Sequence, residues 1–227
     1  YDDDETDEVT TFLNYSNCTN FGPRVDLSAS STNCASGGTA MSAGVAGLVV
    51  SAALEAGIEP PLSPGEVAQV LISTADDIDV EESRGDDPDP EKYPSYPGYD
   101  LFFAHGRIHA GRAVEAVVEG RIPPSIFIES PAWFEPVYDH VTTSVSVQGA
   151  VEARNGEVTV SVGWASGGDP RDDEFTEVAV LSSADGRVEG ELAVLEVAEL
   201  LTGPREAPRQ LTEDDDNVDR ALMAHGW

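Results

Sequence analysis

The chain has 227 residues, of which 43 are acidic and 12 are basic, and its formal net charge is −31. Such a charge repels phosphates and anionic lipid surfaces, so we expect neither nucleic acid nor a membrane as a partner. It is typical of a well-solvated surface, and it also fits adaptation to high salt, where screening relieves self-repulsion. Because the chain begins at Tyr1 rather than Met, we expect it to be part of a longer protein.

The N-terminal part begins with an acidic run and continues with strand-like and helical patterns. Residues 1–9 are predicted to be disordered, and calcium binding by this run has no support from ligand spacing. Short strands are predicted at residues 10–15 and 24–29. An Ala- and Val-rich helix is predicted over about 39–56, with Gly57 as its stop.

A capping box marks the start of a second helix. Ser63 is the predicted N-cap, Pro64 the first helical residue and Glu66 the third. Residues 76–98 are rich in Asp and Pro, which predicts a long exposed loop. Apolar residues at helical spacing then predict another helix over about 108–119, ended by the glycine that follows.

The sequence contains no run of about 18 consecutive apolar residues, so we expect no segment that spans a membrane. The longest apolar stretch, Val45–Ala56, is interrupted by Gly47, Ser51 and Glu55. Its composition predicts a helix buried inside a core.

The pattern changes after Pro123-Pro124, which marks a boundary. Alternating apolar and polar residues over 143–147 and 158–164 predict half-buried strands. Asn155-Gly156 lies between these runs, and Asp185-Gly186 lies between two later ones. Both dipeptides are strong signals for two-residue hairpins, because the turn needs positive φ at both positions.

Residues 121–202 are therefore predicted to form a small antiparallel domain resembling a β-sandwich, followed by an acidic flexible tail at 203–227. Trp133, Phe134 and Tyr138 are candidates for a carbohydrate-binding platform. The alternative, which aromatic residues fulfil more often, is that they seal a contact between domains.

Residues 38–47 read Gly-Thr-Ala-Met-Ser-Ala-Gly-Val-Ala-Gly, a glycine turn that opens into an apolar helix. Three further segments accompany it in order: 14–29 before it, and 62–76 and 105–114 after it. In motif and order these segments resemble the C-terminal half of the catalytic domain of subtilisin-like serine peptidases, the subtilases. The resemblance covers residues 10–120 and implies an α/β fold, the C-terminal half of a doubly wound parallel sheet.

The resemblance implies peptide-bond hydrolysis by a Ser, His and Asp triad, peptide or protein substrates, no cofactor and an extracellular location. Here Ala40 stands at the nucleophile position, and the upstream Asp and His motifs of the family are missing. All four histidines lie after it: His105, His109, His140 and His225. We therefore expect this chain to be catalytically inactive, either as part of an endopeptidase or as a pseudopeptidase that binds through the peptide cleft or the β domain.

Two serines near Ala40 are weaker candidates for a nucleophile. Ser42 is rotated by about 200° from position 40 on a helix, and a packing role is the alternative. Ser36, a serine in the predicted loop before the helix, is an equally weak candidate for the nucleophile. The resemblance also implies that the backbone N–H groups of Gly38, Thr39 and Ala40 form a helix N-terminus that favours anions, as a remnant of an oxyanion site.

The motif departs from the family pattern by one residue, because Ala43-Gly44 stands where the family has a longer segment with Pro before Val-Ala-Gly. A deliberate replacement of serine by alanine explains the sequence less well, because its surroundings also differ. With several strands of the sheet missing, parallel edges would be exposed, so this half-domain is expected to need its N-terminal half.

Cys18 and Cys34 bracket the second predicted strand. The even cysteine count of a secreted family leaves two equally weighted alternatives, a disulfide that would contribute roughly 3 kcal/mol and two free thiols. No metal site is expected, because no Cys or His pair has ligand spacing.

Overall fold

The structure is a computed structural model that describes residues 20–31, 34–83, 93–154 and 156–201. The acidic segment 1–9, the strand expected at 10–15 and the tail at 203–227 lie outside these residues. The chain divides into two compact units. The first comprises residues up to Leu62 together with Val70–Arg121, and the second comprises Ser63–Gln69 together with the residues from Ile122 onward.

The helices of the first part of the chain are α1 (Cys34–Glu55), α2 (Pro64–Ser73) and α3 (Ala110–Val118). The capping box of α2 is confirmed, because the Ser63 N–H donates to Glu66 Oε2 at 2.7 Å and the Glu66 N–H donates to Ser63 Oγ at 3.2 Å. The helix stops at Gly57 and Gly120 are also confirmed, since both glycines adopt positive φ directly after their helices.

Helix α1 begins at Cys34, earlier than the predicted start near residue 39. Gly37 and Gly38 therefore lie inside the helix, although glycine disfavours a helix interior by about 1 kcal/mol. A Cβ atom at Gly37 would clash with the side chain of Ser31. Glycine thus lets the segment that precedes α1 lie against its first turn.

One side of α1 is buried at Val45, Val49 and Ala53, and the helix packs against α3. The other side is apolar as well, and Leu48 and Leu54 are 54% and 60% exposed. The prediction of a buried helix is therefore wrong for this side.

By length and composition alone, Ala35–Glu55 is apolar enough to cross a membrane, with a mean hydropathy of 1.5. Core helices of water-soluble proteins and signal sequences share this property, so the expectation that no segment spans a membrane and that no membrane is a partner stays a prediction.

The strand predicted at 24–29 is reduced to isolated bridges. Leu27 pairs with Ala104 in antiparallel fashion, and Ser28 pairs with Arg107 in parallel fashion. The described residues combine helices with antiparallel sheets, which is compatible with an α/β class. A doubly wound parallel sheet is not formed by these residues.

The described ends of the predicted loop 76–98 are not exposed as expected. Val80, Ser83 and Ser95 are almost completely buried. The Ser95 hydroxyl accepts from the Val80 N–H at 2.8 Å, and the Ser83 hydroxyl donates to the Val80 carbonyl at 2.6 Å. The Ser95 N–H donates to the Ser83 hydroxyl at 3.1 Å. The serine hydroxyls thus provide hydrogen-bond partners for buried backbone groups that have none in a helix or a sheet.

The described residues of the second unit form five strands in two antiparallel sheets. One sheet has the order β1-β2-β5, and the other pairs β3 with β4. The strand bounds are β1 (Ser125–Ser130), β2 (Ser144–Glu152), β3 (Val158–Trp164), β4 (Thr176–Ser183) and β5 (Arg187–Glu196), and a short helix α4 (Val197–Leu200) follows.

Both hairpin predictions are wrong, because each glycine turn joins strands of different sheets. Val147 and Leu192 of one sheet form a common core with residues of β3 and β4, so the sheets pack face to face as in a sandwich. The two turns meet: the Ala153 N–H donates to the Gly186 carbonyl at 2.7 Å, and a Cβ at Gly186 would lie 2.5 Å from the Gly156 carbonyl oxygen. The two turns therefore pack together at one end of the sandwich, where each connects the two sheets, and neither closes a hairpin.

Candidate functional site

The first unit contains a cavity of about 650 Å³. The segment 24–31 forms one wall, and one face of α1 forms another. The α1 face presents small residues at helical spacing: Ala35, Gly38, Thr39, Ser42, Ala43 and Ala46. Apolar side chains from later in the unit complete the lining: Leu71, Ile78, Phe102 and Phe103. A volume of this size is typical of ligand pockets.

The structure separates the site residues predicted on α1. Gly38, Thr39 and Ser42 line the cavity, whereas Ala40 and Ser36 do not belong to its described lining. The spacing of three and four residues puts the first set on one side of the helix, and position 40 lies on another side.

The predicted anion site at a helix N-terminus is wrong. Gly38, Thr39 and Ala40 lie in the second turn of α1, where each backbone N–H bonds to the carbonyl four residues earlier. The Thr39 hydroxyl donates to the Ala35 carbonyl at 2.9 Å. These groups are therefore engaged within the helix and are not directed at a ligand.

The three histidines that the structure describes lie outside the described lining. His105 is exposed and meets Tyr99 edge-on, with ring centroids 5.0 Å apart. His109 caps α3, because its Nδ1 accepts from the Arg112 N–H at 3.1 Å. His140 belongs to the second unit, where its Nδ1 lies 3.7 Å from a carboxylate oxygen of Asp139. The described wall thus offers Ser42 no imidazole that would act as a general base.

Charge at the cavity comes from Arg24, Asp26 and Arg107. Arg107 lies 3.5 Å from Asp76, a long contact for an ion pair. Arg112 holds the other carboxylate oxygen of Asp76 more closely. One carboxylate is thus shared by two guanidinium groups, and this cluster carries a surplus of positive charge beside the cavity.

The Ser28 hydroxyl is buried in the cavity wall without a hydrogen-bond partner among the described residues. Both backbone polar groups of Ser28 are hydrogen-bonded, because its N–H donates to the Gly106 carbonyl and its carbonyl accepts from the Ile108 N–H. An unsatisfied hydroxyl of this kind costs about 1–3 kcal/mol. The wall is therefore not optimised for stability at this position.

Searches for related proteins give no further assignment. No family model, curated protein or solved structure matched the chain. The resemblance to subtilases therefore rests on the motifs alone.

Among the residues that the structure describes, no three His, Cys, Asp or Glu side chains are grouped so that they could hold a metal ion. The acidic run considered for calcium lies outside those residues, as do Cys18 and the side chain of Cys34. The disulfide and its free-thiol alternative both stay open.

The aromatic residues singled out in the second unit are exposed. Trp133, Phe134 and Tyr138 are 58%, 60% and 57% accessible. Phe134 has a φ of 59°, a conformation that is strained for a residue with a large side chain. Trp164 is half-buried. The aromatic platform therefore remains available as a binding surface.

Sequence reasoning gave no role to Arg24 and Arg107. The signal that could have found them is the scarcity of basic residues, since only 12 occur beside 43 acidic ones. A guanidinium placed beside an apolar stretch of such a chain is a candidate for recognition.

Proposed function

We propose that this chain is a non-catalytic part of a subtilisin-like peptidase that binds peptides in the cavity between segment 24–31 and α1. The observation that carries the proposal is the lining itself, which combines small and apolar residues with hydroxyl groups and lacks a histidine in its described part. Such a surface holds apolar side chains but assembles no acyl-transfer triad.

The family, its doubly wound parallel sheet and its extracellular location are parts of the same proposal. Four motifs in the order of the family support it, and so does the parallel bridge between Ser28 and Arg107, since parallel pairing is what such a sheet requires. The charge of −31 supports a soluble, highly charged exterior.

The catalytic half of the proposal is tested with a fluorophosphonate probe, which labels activated serines. We expect no label on the wild-type chain and none on the Ala40→Ser variant, because position 40 does not face the cavity. A label on Ser42 would contradict the proposal and would show that a base reaches this serine.

The binding half is tested with N-acetylated, fluorescently labelled tetrapeptides of Ala and Leu, titrated into the full chain by fluorescence polarisation. Ala43→Leu adds three carbon atoms to the cavity wall and is expected to weaken binding at least tenfold. Ala40→Leu is the matched control, because it makes the same change at an exposed position of the same helix outside the described lining. Equal affinities for the two variants would contradict the proposed cavity.

A second candidate function is carbohydrate binding by the exposed aromatic residues of the second unit. The strained and exposed Phe134 favours it, because strain is retained more often at functional sites. A glycan array probed with the wild-type chain and with Trp133→Ala tests it. Binding that disappears in the variant would support this function, and an array without binding would remove it.

A further inference from the structure

The cavity differs in charge from the protein that contains it. The chain has 43 acidic and 12 basic residues, yet two arginines and one aspartate supply the charged part of the described lining. Asp76, the ion-pair partner of Arg107, is held more closely by Arg112 than by Arg107. The described lining and its ion-pair partners therefore carry more positive than negative side chains, although the whole protein is strongly negative.

Arg107 has the capacity to bind such a group. A guanidinium has five N–H donors in a planar fork that fits a carboxylate with two parallel hydrogen bonds. The side chain of Arg107 is 42% exposed, and its contact with Asp76 is long, at 3.5 Å. Its backbone is fixed on both sides, since the Arg107 N–H and carbonyl each bond to the backbone of Asp76 at 2.7 Å. The fork is thus presented from a rigid position in the cavity wall.

We propose that the cavity selects peptides by their free C-terminal carboxylate, which Arg107 binds with help from Arg24, while apolar side chains fill the remaining volume. This inference rests on the proposed function and adds the class of ligand to it. Leu71, Ile78 and Phe103 supply apolar wall and, beyond the two arginines, the rest of the described lining is uncharged apart from Asp26, so the ligand carries its charge at one end only.

A peptide with a free C-terminal carboxylate fits the positive cavity and the negative protein better than a peptide rich in acidic residues does. A peptide rich in Asp or Glu would be repelled by the net charge of −31 at every approach. A single terminal carboxylate on an apolar peptide minimises this repulsion and still supplies two acceptor oxygens to a guanidinium. The short range of the attraction also makes it resistant to salt that screens the long-range repulsion.

The experiment uses the full chain and three labelled peptides of equal length. The first is an N-acetylated tetrapeptide of Ala and Leu with a free carboxylate, the second is its C-terminal amide, and the third is the amide with one internal Glu. The free acid is expected to bind about tenfold or more tightly than the amide, which corresponds to one charge-assisted hydrogen-bonded pair. The peptide with the internal Glu is expected to bind no better than the plain amide.

The variants assign the preference to a side chain. Arg107→Gln is expected to bring the ratio of acid to amide affinity close to one, and Arg107→Lys to restore part of the ratio. Arg121→Gln is the control, because Arg121 lies in the same unit, pairs with Glu119 at 2.6 Å on the surface and does not line the cavity. Thermal unfolding of each variant confirms that it is folded.

The outcomes separate the inference from the proposed function. Equal binding of acid and amide would overturn the carboxylate preference and leave peptide binding intact. Tight binding of the internal Glu peptide would overturn the choice of a chain end. Failure of all three peptides to bind would contradict the proposed function itself.

Discussion

The ion pair between Glu66 and Arg154 should contribute strongly to the stability of the second unit. Arg154 Nε and Nη2 donate to the two carboxylate oxygens at 2.9 Å and 2.8 Å, and the side chains are only 11% and 9% exposed. Burial alone raises the pKa of Glu66, but hydrogen bonds from Arg154 and the Ser63 N–H, together with the charge of Arg154, lower it below its ordinary value of 4.5. The carboxylate is thus stabilised in its charged form.

Glu66→Gln removes this charge and breaks the ion pair that the carboxylate forms with the largely buried Arg154 guanidinium. Removing one partner of a buried pair costs about 3–5 kcal/mol of the free energy of unfolding. Because both side chains keep some exposure, we expect a loss of about 3 kcal/mol, at the lower end of this range. The matched control is Glu189→Gln, which breaks the pair with Arg187 at a similar distance, 2.7 Å, where the side chains are 61% and 54% exposed. This control is expected to cost about 0.5 kcal/mol or less.

The assay is urea denaturation followed by tryptophan fluorescence, because the described tryptophans, Trp133 and Trp164, both lie in the second unit. The pair stabilises the fold above the unfolded pKa of Glu66, near 4.5, and this contribution is lost as pH falls through the lower folded pKa. The difference between wild type and Glu66→Gln should therefore shrink below that pH. Equal losses for Glu66→Gln and Glu189→Gln at neutral pH would refute the argument that burial sets the strength of the pair.

Three further predictions concern stability. Gly186→Ala should lower the free energy of unfolding in urea by about 3 kcal/mol or more, because it combines positive φ with a clash at the Gly156 carbonyl. Gly190→Ala is the control, because Gly190 also has positive φ but lies in open space, and it should cost only about 1–2 kcal/mol of backbone strain. Equal costs would contradict the close packing of the two turns. Ser28→Ala should stabilise the first unit by about 1 kcal/mol, because it removes an unsatisfied buried hydroxyl. Ser95→Ala should destabilise it by about 2 kcal/mol, because it breaks a buried hydrogen-bond network. A lower melting temperature for Ser28→Ala than for the wild type would contradict the unsatisfied hydroxyl. Added KCl should raise the melting temperature if the charge of −31 reflects adaptation to high salt, and an unchanged melting temperature would end that interpretation.

Local features of the fold were predictable from sequence. The capping box at Ser63 and the stop at Gly120 depend on hydrogen bonds and dihedral angles within a few residues, so their sequence signals are sufficient. The start of α1 was missed because Gly37-Gly38 favours a turn locally, whereas in the fold both glycines lie inside the helix and Gly37 lies against Ser31.

Features that depend on distant residues were not predictable. The turns at Asn155-Gly156 and Asp185-Gly186 carry genuine turn signals, but the core residues of the sandwich decide which strands pair. Glu66 and Arg154 are 88 residues apart in sequence. The cavity likewise draws Arg24 and Arg107 from separate segments, so no single motif contains it.

The central claim is that peptides bind between segment 24–31 and α1. Hydrogen–deuterium exchange of the full chain, with and without the free-acid tetrapeptide, tests it directly. The account predicts slower exchange at residues 24–31 and in the first half of α1, with no change in β1 to β5. Protection confined to residues 126–141, or none at saturating peptide, would contradict the account.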